Sequence, residues 1–212
     1  MDEFREARMA WERQYEKGAF LRESIQSEMS RIAEMFQTHD VRRALDLGCG
    51  CGRHTLYLAQ QGFEVVGLDI APSGLRATKT KVDSEELSGY YTLADIIRLP
   101  FADAVFDAVI SVRVIHHNRL ALIQQTVDEI WRVLQLEGLV WITVPVPKGH
   151  GSKGGREIEP GTWVPHHGIE AGLPHHLFTE GELRELFQRY DIVSLHIFKT
   201  SHYSLLAQKP ET

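Results

Sequence analysis

The stretch Val41 to Asp69, VRRALDLGCGCGRHTLYLAQQGFEVVGLD, constrains the fold more than any other part of this chain. Its apolar start, Val41 to Leu47, reads as a buried strand interrupted by Arg42 and Arg43. The strand runs into Asp46-Leu47-Gly48-Cys49-Gly50-Cys51-Gly52, with glycine at alternate positions. A helix carrying Leu56, Leu58 and Ala59 follows and is closed by Gly62; a second strand, Phe63 to Leu68, ends in Asp69. Strand, glycine turn, helix, strand and terminal acid make a nucleotide-binding βαβ unit. Glycine lets the main chain turn tightly and lets a ligand lie against it without meeting a Cβ. An acid ending the second strand, about 20 residues after such a loop, is placed to accept ribose hydroxyls.

The loop also excludes the commoner nucleotides. A G-x-G-x-x-G dinucleotide fingerprint read from Gly48 would need glycine where Arg53 stands. No G-x-x-x-x-G-K-[ST] phosphate loop is present, so ATP and GTP lose their usual lysine. Leu45-Asp46-Leu47-Gly48-Cys49-Gly50-Cys51-Gly52 resembles the first motif of class I S-adenosylmethionine (SAM) dependent methyltransferases, and the resemblance extends from Val41 to Gln208. It implies SAM as cofactor and S-adenosylhomocysteine as product. It also implies a cofactor pocket built from Asp46, Gly48, Cys49 and Gly50, from Asp69 and Ile70, and from Ser111 and Val112 at the end of a later strand, with His117 close by. Asp95 would accept from the adenine amino group, and the backbone N–H of Ile96 would meet a ring nitrogen.

With 212 residues, 43% hydrophobic and 25% charged, the chain is expected to form one α/β domain over 1–212. No run approaches the roughly 18 to 20 apolar residues that cross a bilayer. The charged N-terminus has no signal-peptide core, so a cytoplasmic location and no membrane partner are expected. A formal net charge of −6 disfavours a protein that wraps nucleic acid. Cys49 and Cys51, the only cysteines, sit too close in the loop for a disulfide and read as small side chains where space is short.

Residues 1–40 are expected to form two helices. Asp2 to Lys17 is the first, and the second carries Ile25, Met29, Ile32 and Phe36 at spacings of four, three and four. Trp11 and Tyr15 share one face of the first. Trp11 is expected to cover core. Tyr15, by the resemblance, contacts the methionine end of SAM beneath an N-terminal lid. Pro72 opens a helix through the Ala77 to Leu87 region, a third strand falls around Tyr90 to Leu93, and Asp95 and Ile96 lie just beyond it. Ala104 to Val114 reads as a central strand buried on both faces. It leads to Ile115-His116-His117-Asn118, where Asn118 is expected to cap a helix with Leu120, Ile123, Val127, Ile130 and Leu134. Leu139 to Val144 is the fifth strand. Residues 145–178 read as a long substrate-side loop rich in proline, glycine and histidine (His150, His166, His167, His175, His176). Thr179 and Glu182 form a capping box, and Ile192 to Phe198 with Tyr203 to Ala207 a terminal hairpin. The expected fold class is therefore α/β: one doubly wound, mostly parallel seven-stranded sheet with an antiparallel C-terminal hairpin and an N-terminal helical lid.

Methyl transfer from a sulfonium needs alignment and exclusion of water more than a catalytic motif. His116 and His117, at the carboxyl edge of the fourth strand, are the candidate catalytic residues, as proton acceptors or packing partners. The loop histidines lack H-E-x-x-H spacing, and no metal is expected. A small-molecule acceptor is the first expectation. The second is a transfer RNA: Phe106 to Ser111, Val114 to His117 and Phe178 to Leu183 are similar to the wobble-uridine methyltransferases, which often need a small zinc-binding partner protein. A basic face at Arg42, Arg43 and Arg53 would mark that case. The third is a SAM-binding module without turnover. The sequence does not set the oligomeric state.

Overall fold

The computed structural model describes residues 3–147 and 155–212. In chain order its elements are α1 (Glu3–Glu16), α2 (Met29–Thr38), β1 (Arg43–Leu47), α3 (Arg53–Gln60), β2 (Glu64–Asp69), α4 (Pro72–Asp83), β3 (Tyr90–Leu93), β4 (Phe106–Val112), α5 (Leu120–Val133), β5 (Leu134–Pro145), β6 (Gly155–Glu159), β7 (Thr162–Pro165), β8 (His175–His176), α6 (Glu180–Leu186), β9 (Asp191–Phe198) and β10 (His202–Gln208). Seven strands form one sheet in the order β3-β2-β1-β4-β5-β10-β9. The first five are parallel; β10 pairs antiparallel with both β5 and β9. The expected fold class is the observed one.

Alternation along the strands sends side chains to two cores. On one face Ala44, Val65 and Ile110 pack with Met29, Ile32 and Phe36 of α2 and Leu58 of α3. On the other, Leu45, Val66 and Val109 pack with Ile123, Val127 and Ile130 of α5 and with Phe187. An irregularity in β4 between Phe106 and Ala108 puts Phe106 on the same face as Val109. The order reverses at β1, where β2 lies on one side and β4 on the other, so the ends of β1 and β4 open the crevice in which ligands collect.

Several local expectations are corrected. Residues 145–178 are not simply a loop: β6, β7 and β8 form an antiparallel three-stranded sheet, with Thr162 opposite His176 and Trp163 opposite His175. His150 lies outside the described residues. Ile25 precedes α2 and is exposed, so the apolar stripe of that helix starts at Met29. Asn118 does not cap α5. The N-cap is Arg119, without a side-chain cap bond, and the Leu120 N–H donates instead to Glu159 Oε1 at 2.7 Å. The Thr179–Glu182 capping box is present as expected.

Candidate active site

The glycine turn is held from below by β2. The N–H groups of Gly48 and Cys49 both donate to the Leu68 carbonyl, at 2.8 and 2.9 Å. Gly48, Gly50 and Gly52 have φ of 76°, 54° and 77°, a region that side chains disfavour. Asp69 closes the turn, its carboxylate accepting from Gly50 N at 2.8 Å and from Ala71 N at 2.9 Å. Burial pushes its carboxyl up to about 6 even though those backbone bonds oppose the shift. Asp46 sits lower, fully inside, and accepts from Thr55 Oγ1 at 2.6 Å. Burial pushes it up to about 7. Cys49 packs against Gly67, where an added Cβ would stand 3.1 Å from its sulfur. The two cysteines are free thiols filling a cramped turn.

Helix α1 covers this turn. The Tyr15 hydroxyl lies 3.0 Å from where a Cβ on Gly50 would be, and its ring meets Gly74 of α4. Trp11 stacks on Tyr15 and stands edge-on to His117, with centroids 4.8 Å apart, so it faces the cavity and is not the core residue expected from sequence. Glu12 fastens the helix to α4, accepting from Ser73 N at 3.0 Å and Arg76 Nη2 at 3.3 Å. Glu23, beyond α1, takes Arg113 Nη2 at 2.9 Å and pairs with Arg53. Sequence reasoning missed this carboxylate and Arg113, because they meet only when α1 folds back over the end of β4.

Beneath the lid is a cavity of about 960 Å³. Its cofactor-side wall includes Tyr15, Gly48, Cys49, Gly50, Asp69 and Ile70, with Asp95, Ile96 and Val112 further along. Its far wall includes His116, His117, Pro145, Val164, Glu170 and His175. Asp46 and Ser111 are not on the wall; both are buried behind it, where Asp46 braces α3 through Thr55. At the far wall, the His116 and His117 rings meet at a tilt of 38° with centroids 4.0 Å apart, and the His175 ring stands 4.6 Å from that of His117. Burial, reinforced by the neighbouring histidines, holds His116 well below the usual imidazole range, and the same causes push His117 down to about 3. His176 is turned away, its Nδ1 2.8 Å from Thr162 Oγ1 inside the small sheet. Glu170 and His175 had no local signal beyond belonging to a histidine-rich segment.

The geometry fits SAM on observations of this chain. The loop is a glycine cradle that Cβ atoms would fill, the acid at the end of β2 keeps lone pairs beyond its two backbone bonds, and an aromatic helix seals the top. Residues 45–142 match the family model described as "Methyltransferase domain". That segment is a methyltransferase domain of the class I, SAM-dependent fold. Among curated relatives of this family, an 18S rRNA (guanine-N(7))-methyltransferase bud23 of Schizosaccharomyces pombe is 40% identical over 95 residues, covering 44% of this chain and 34% of that protein. A demethylmenaquinone methyltransferase of Deinococcus radiodurans is 35% identical over 112 residues, covering 51% and 46%. The match thus spans less than half the length of either relative. Among solved structures, magnesium protoporphyrin IX methyltransferase (ChlM) from Synechocystis PCC 6803 with bound SAM superposes with a TM-score of 0.72 at 14% identity, covering 99% of this chain and 98% of that one, a likeness of fold. No helix among the described residues is long and apolar enough to cross a membrane.

Proposed function

We propose that this methyltransferase transfers the methyl group of SAM to a nucleophilic atom of a small-molecule acceptor by in-line displacement. SAM, when bound, supplies an activated methyl on a positively charged sulfur. The chain's part is to bind, orient and keep water out. Asp69 would hold the ribose, Asp95 and Ile96 the adenine, and Tyr15 would close over the glycine turn. His116 and His117 at the far wall would contact the acceptor. With its basicity so reduced, His117 serves as a neutral hydrogen-bonding and packing surface better than as a general base.

One observation carries the small-molecule reading: the cofactor wall and the histidine wall bound a single cavity, roofed by Trp11 and Tyr15 and flanked by β7. Its volume is near the upper end of ordinary small-ligand sites, of about 300 to 1,000 Å³, and an acceptor would share it with the cofactor. Two of the three arginines that would mark an RNA face are partnered by acids: Arg43 with Glu64 at 3.0 Å, and Arg53 with Glu23. A second reading, an RNA acceptor, draws on the bud23 likeness and on the wobble-uridine resemblance around His116-His117.

The test has two stages. Calorimetric titration with SAM and with S-adenosylhomocysteine should give binding of both, in the micromolar range or tighter. Transfer of labelled methyl from SAM is then followed into extracted small metabolites and, separately, into total tRNA and rRNA. Label in the metabolite fraction supports the proposal, and label only in RNA moves the acceptor to the second reading. Tight binding with no transfer to either fraction leaves a non-catalytic SAM-binding module.

A further inference from the structure

The far wall of the cavity holds an arrangement that methyl transfer alone does not explain. One ring nitrogen from each of His116, His117 and His175 lies within 4.8 Å of the others. His116 is 5% exposed, and its Nδ1 is buried without a hydrogen-bond partner. Buried polar atoms are almost always partnered, so an orphan of this kind asks for a ligand. Glu170 reaches into the same cluster: its Oε2 is 2.9 Å from His175 Nε2, and its Oε1 is 3.8 Å from His117 Nε2.

His175 sharpens the case. Its Nδ1 lies 3.0 Å from the Leu173 carbonyl oxygen, which can only accept, so that nitrogen carries the ring's proton. In neutral imidazole the Nε2 is then a bare lone pair, and it faces a carboxylate oxygen of Glu170. Two acceptors at hydrogen-bond distance need either a second ring proton, as in an imidazolium–carboxylate pair, or a metal cation between them. A histidine whose Nδ1–H is fixed on a backbone carbonyl, with its Nε2 free, is also the usual pose of a metal ligand.

The cluster is set by backbone, not by chance rotamers. The His176 N–H donates to the His116 carbonyl at 2.8 Å, tying β8 directly to the exit of β4. Trp163 pairs with His175 across the small sheet. Drawing the three nitrogens onto one ion requires them about 3.4 Å apart, for metal–nitrogen bonds of roughly 2.0 to 2.1 Å in tetrahedral geometry. Metal binding would have to close that gap by side-chain rotation, since β8 and the exit of β4 are already joined.

We propose that His116, His117 and His175 bind one divalent transition-metal ion of the zinc class, with Glu170 as an exchangeable fourth ligand. Three imidazoles and a carboxylate select borderline ions such as zinc or cobalt over magnesium or calcium, which prefer an all-oxygen shell. The ion sits at the acceptor end of the cavity. An anionic oxygen of the acceptor would replace Glu170 on it, a role that rests on the methyl-transfer reading; metal binding itself does not.

The experiment uses the full chain with any affinity tag removed and metal stripped by a chelator. Zinc is titrated calorimetrically, and cobalt is followed by its visible absorption. The expected result is one equivalent of zinc bound, together with an intense visible cobalt spectrum of tetrahedral type. His175→Ala should weaken zinc binding by at least about 100-fold, and Glu170→Gln by less. His166→Ala with His167→Ala, outside the cluster, should leave binding unchanged. The wild-type cobalt spectrum reports the ligand set even if His175→Ala fails to fold. No stoichiometric binding, an octahedral cobalt spectrum, or zinc affinity unchanged in folded His175→Ala overturns the site and leaves His175 and Glu170 a simple ion pair. SAM is titrated into the same samples. SAM binding without zinc binding removes the metal site alone, and zinc binding without SAM binding removes the methyl-transfer reading alone.

Discussion

The carboxylate of Asp69 accepts the amide proton of Gly50 at 2.8 Å, joining the acid that ends β2 to the glycine turn that ends β1. One side chain thus serves the loop's shape and, by proposal, the ribose. Asp69→Ala removes both roles and leaves the Gly50 N–H without its acceptor. Loss of a charge-assisted bond is worth roughly 1.5 to 3 kcal/mol, so SAM affinity should fall about ten- to hundred-fold. Asp69→Asn keeps one acceptor for the loop and should fold cooperatively while still losing affinity. Titration of folded Asp69→Asn with wild-type affinity would remove Asp69 from the cofactor site.

Two glycines of positive φ separate backbone strain from crowding. At Gly52, φ 77°, an added Cβ would stand 2.8 Å from the Thr78 Cα and 2.7 Å from its methyl. At Gly62, φ 90°, it would meet nothing within 4 Å. Alanine costs about 1 to 2 kcal/mol at either position for the left-handed backbone. Gly52→Ala adds an overpacking penalty of about 1 to 3 kcal/mol, because a helix backbone must retreat. Denaturant unfolding should rank Gly52→Ala well below Gly62→Ala, and equal losses would show that α4 yields freely.

What was legible in the sequence follows the range of the forces involved. Strand, turn and helix at Val41 to Asp69 are set by local apolar runs and glycines, and the sheet built from them is the expected one. The small sheet was not legible. Its strand Gly155–Glu159, GREIE, is short and polar, and it is a strand only because Thr162–Pro165 pairs with it. The site divides the same way. The glycine turn and Asp69 could be read off; Glu23, Glu170 and His175 reach the cavity only through tertiary folding. Asp46 belongs to the motif, yet its place at the strand's inner face turns it toward Thr55 and away from the cavity.

The start of α5 shows a cap supplied from far away. Glu159, 39 residues downstream, accepts the Leu120 N–H at 2.7 Å, and its other oxygen lies 3.6 Å from Arg119 Nη1. It acts as an N-cap residue would, and favours the positive end of the helix dipole. Glu159→Ala should cost about 1 kcal/mol, the usual value of a lost cap, whereas Asn118→Ala should stay within about 0.5 kcal/mol of wild type. Thermal unfolding of the two variants decides between the distant cap and the local one.

Asp46 makes stability depend on pH in an unusual direction for a carboxylate. Burial raises it from an ordinary 3.8 to about 7, so the folded chain keeps a proton that the unfolded chain releases. Between those values the folded state binds more protons, and unfolding becomes easier as pH rises. The contribution of Asp46 is thus fully present below about pH 4 and lost by about pH 7. Asp46→Asn mimics the protonated form, keeps an acceptor for Thr55, and carries no charge to bury. Relative to wild type it should be near neutral at pH 4 and stabilising by up to about 4 kcal/mol at pH 8. Urea unfolding of both proteins at pH 4, 6 and 8 measures the difference directly, which cancels the other titrating groups. A difference that does not change with pH would mean that Asp46 is ionised in the fold throughout, with its charge held by Thr55 and the backbone around it.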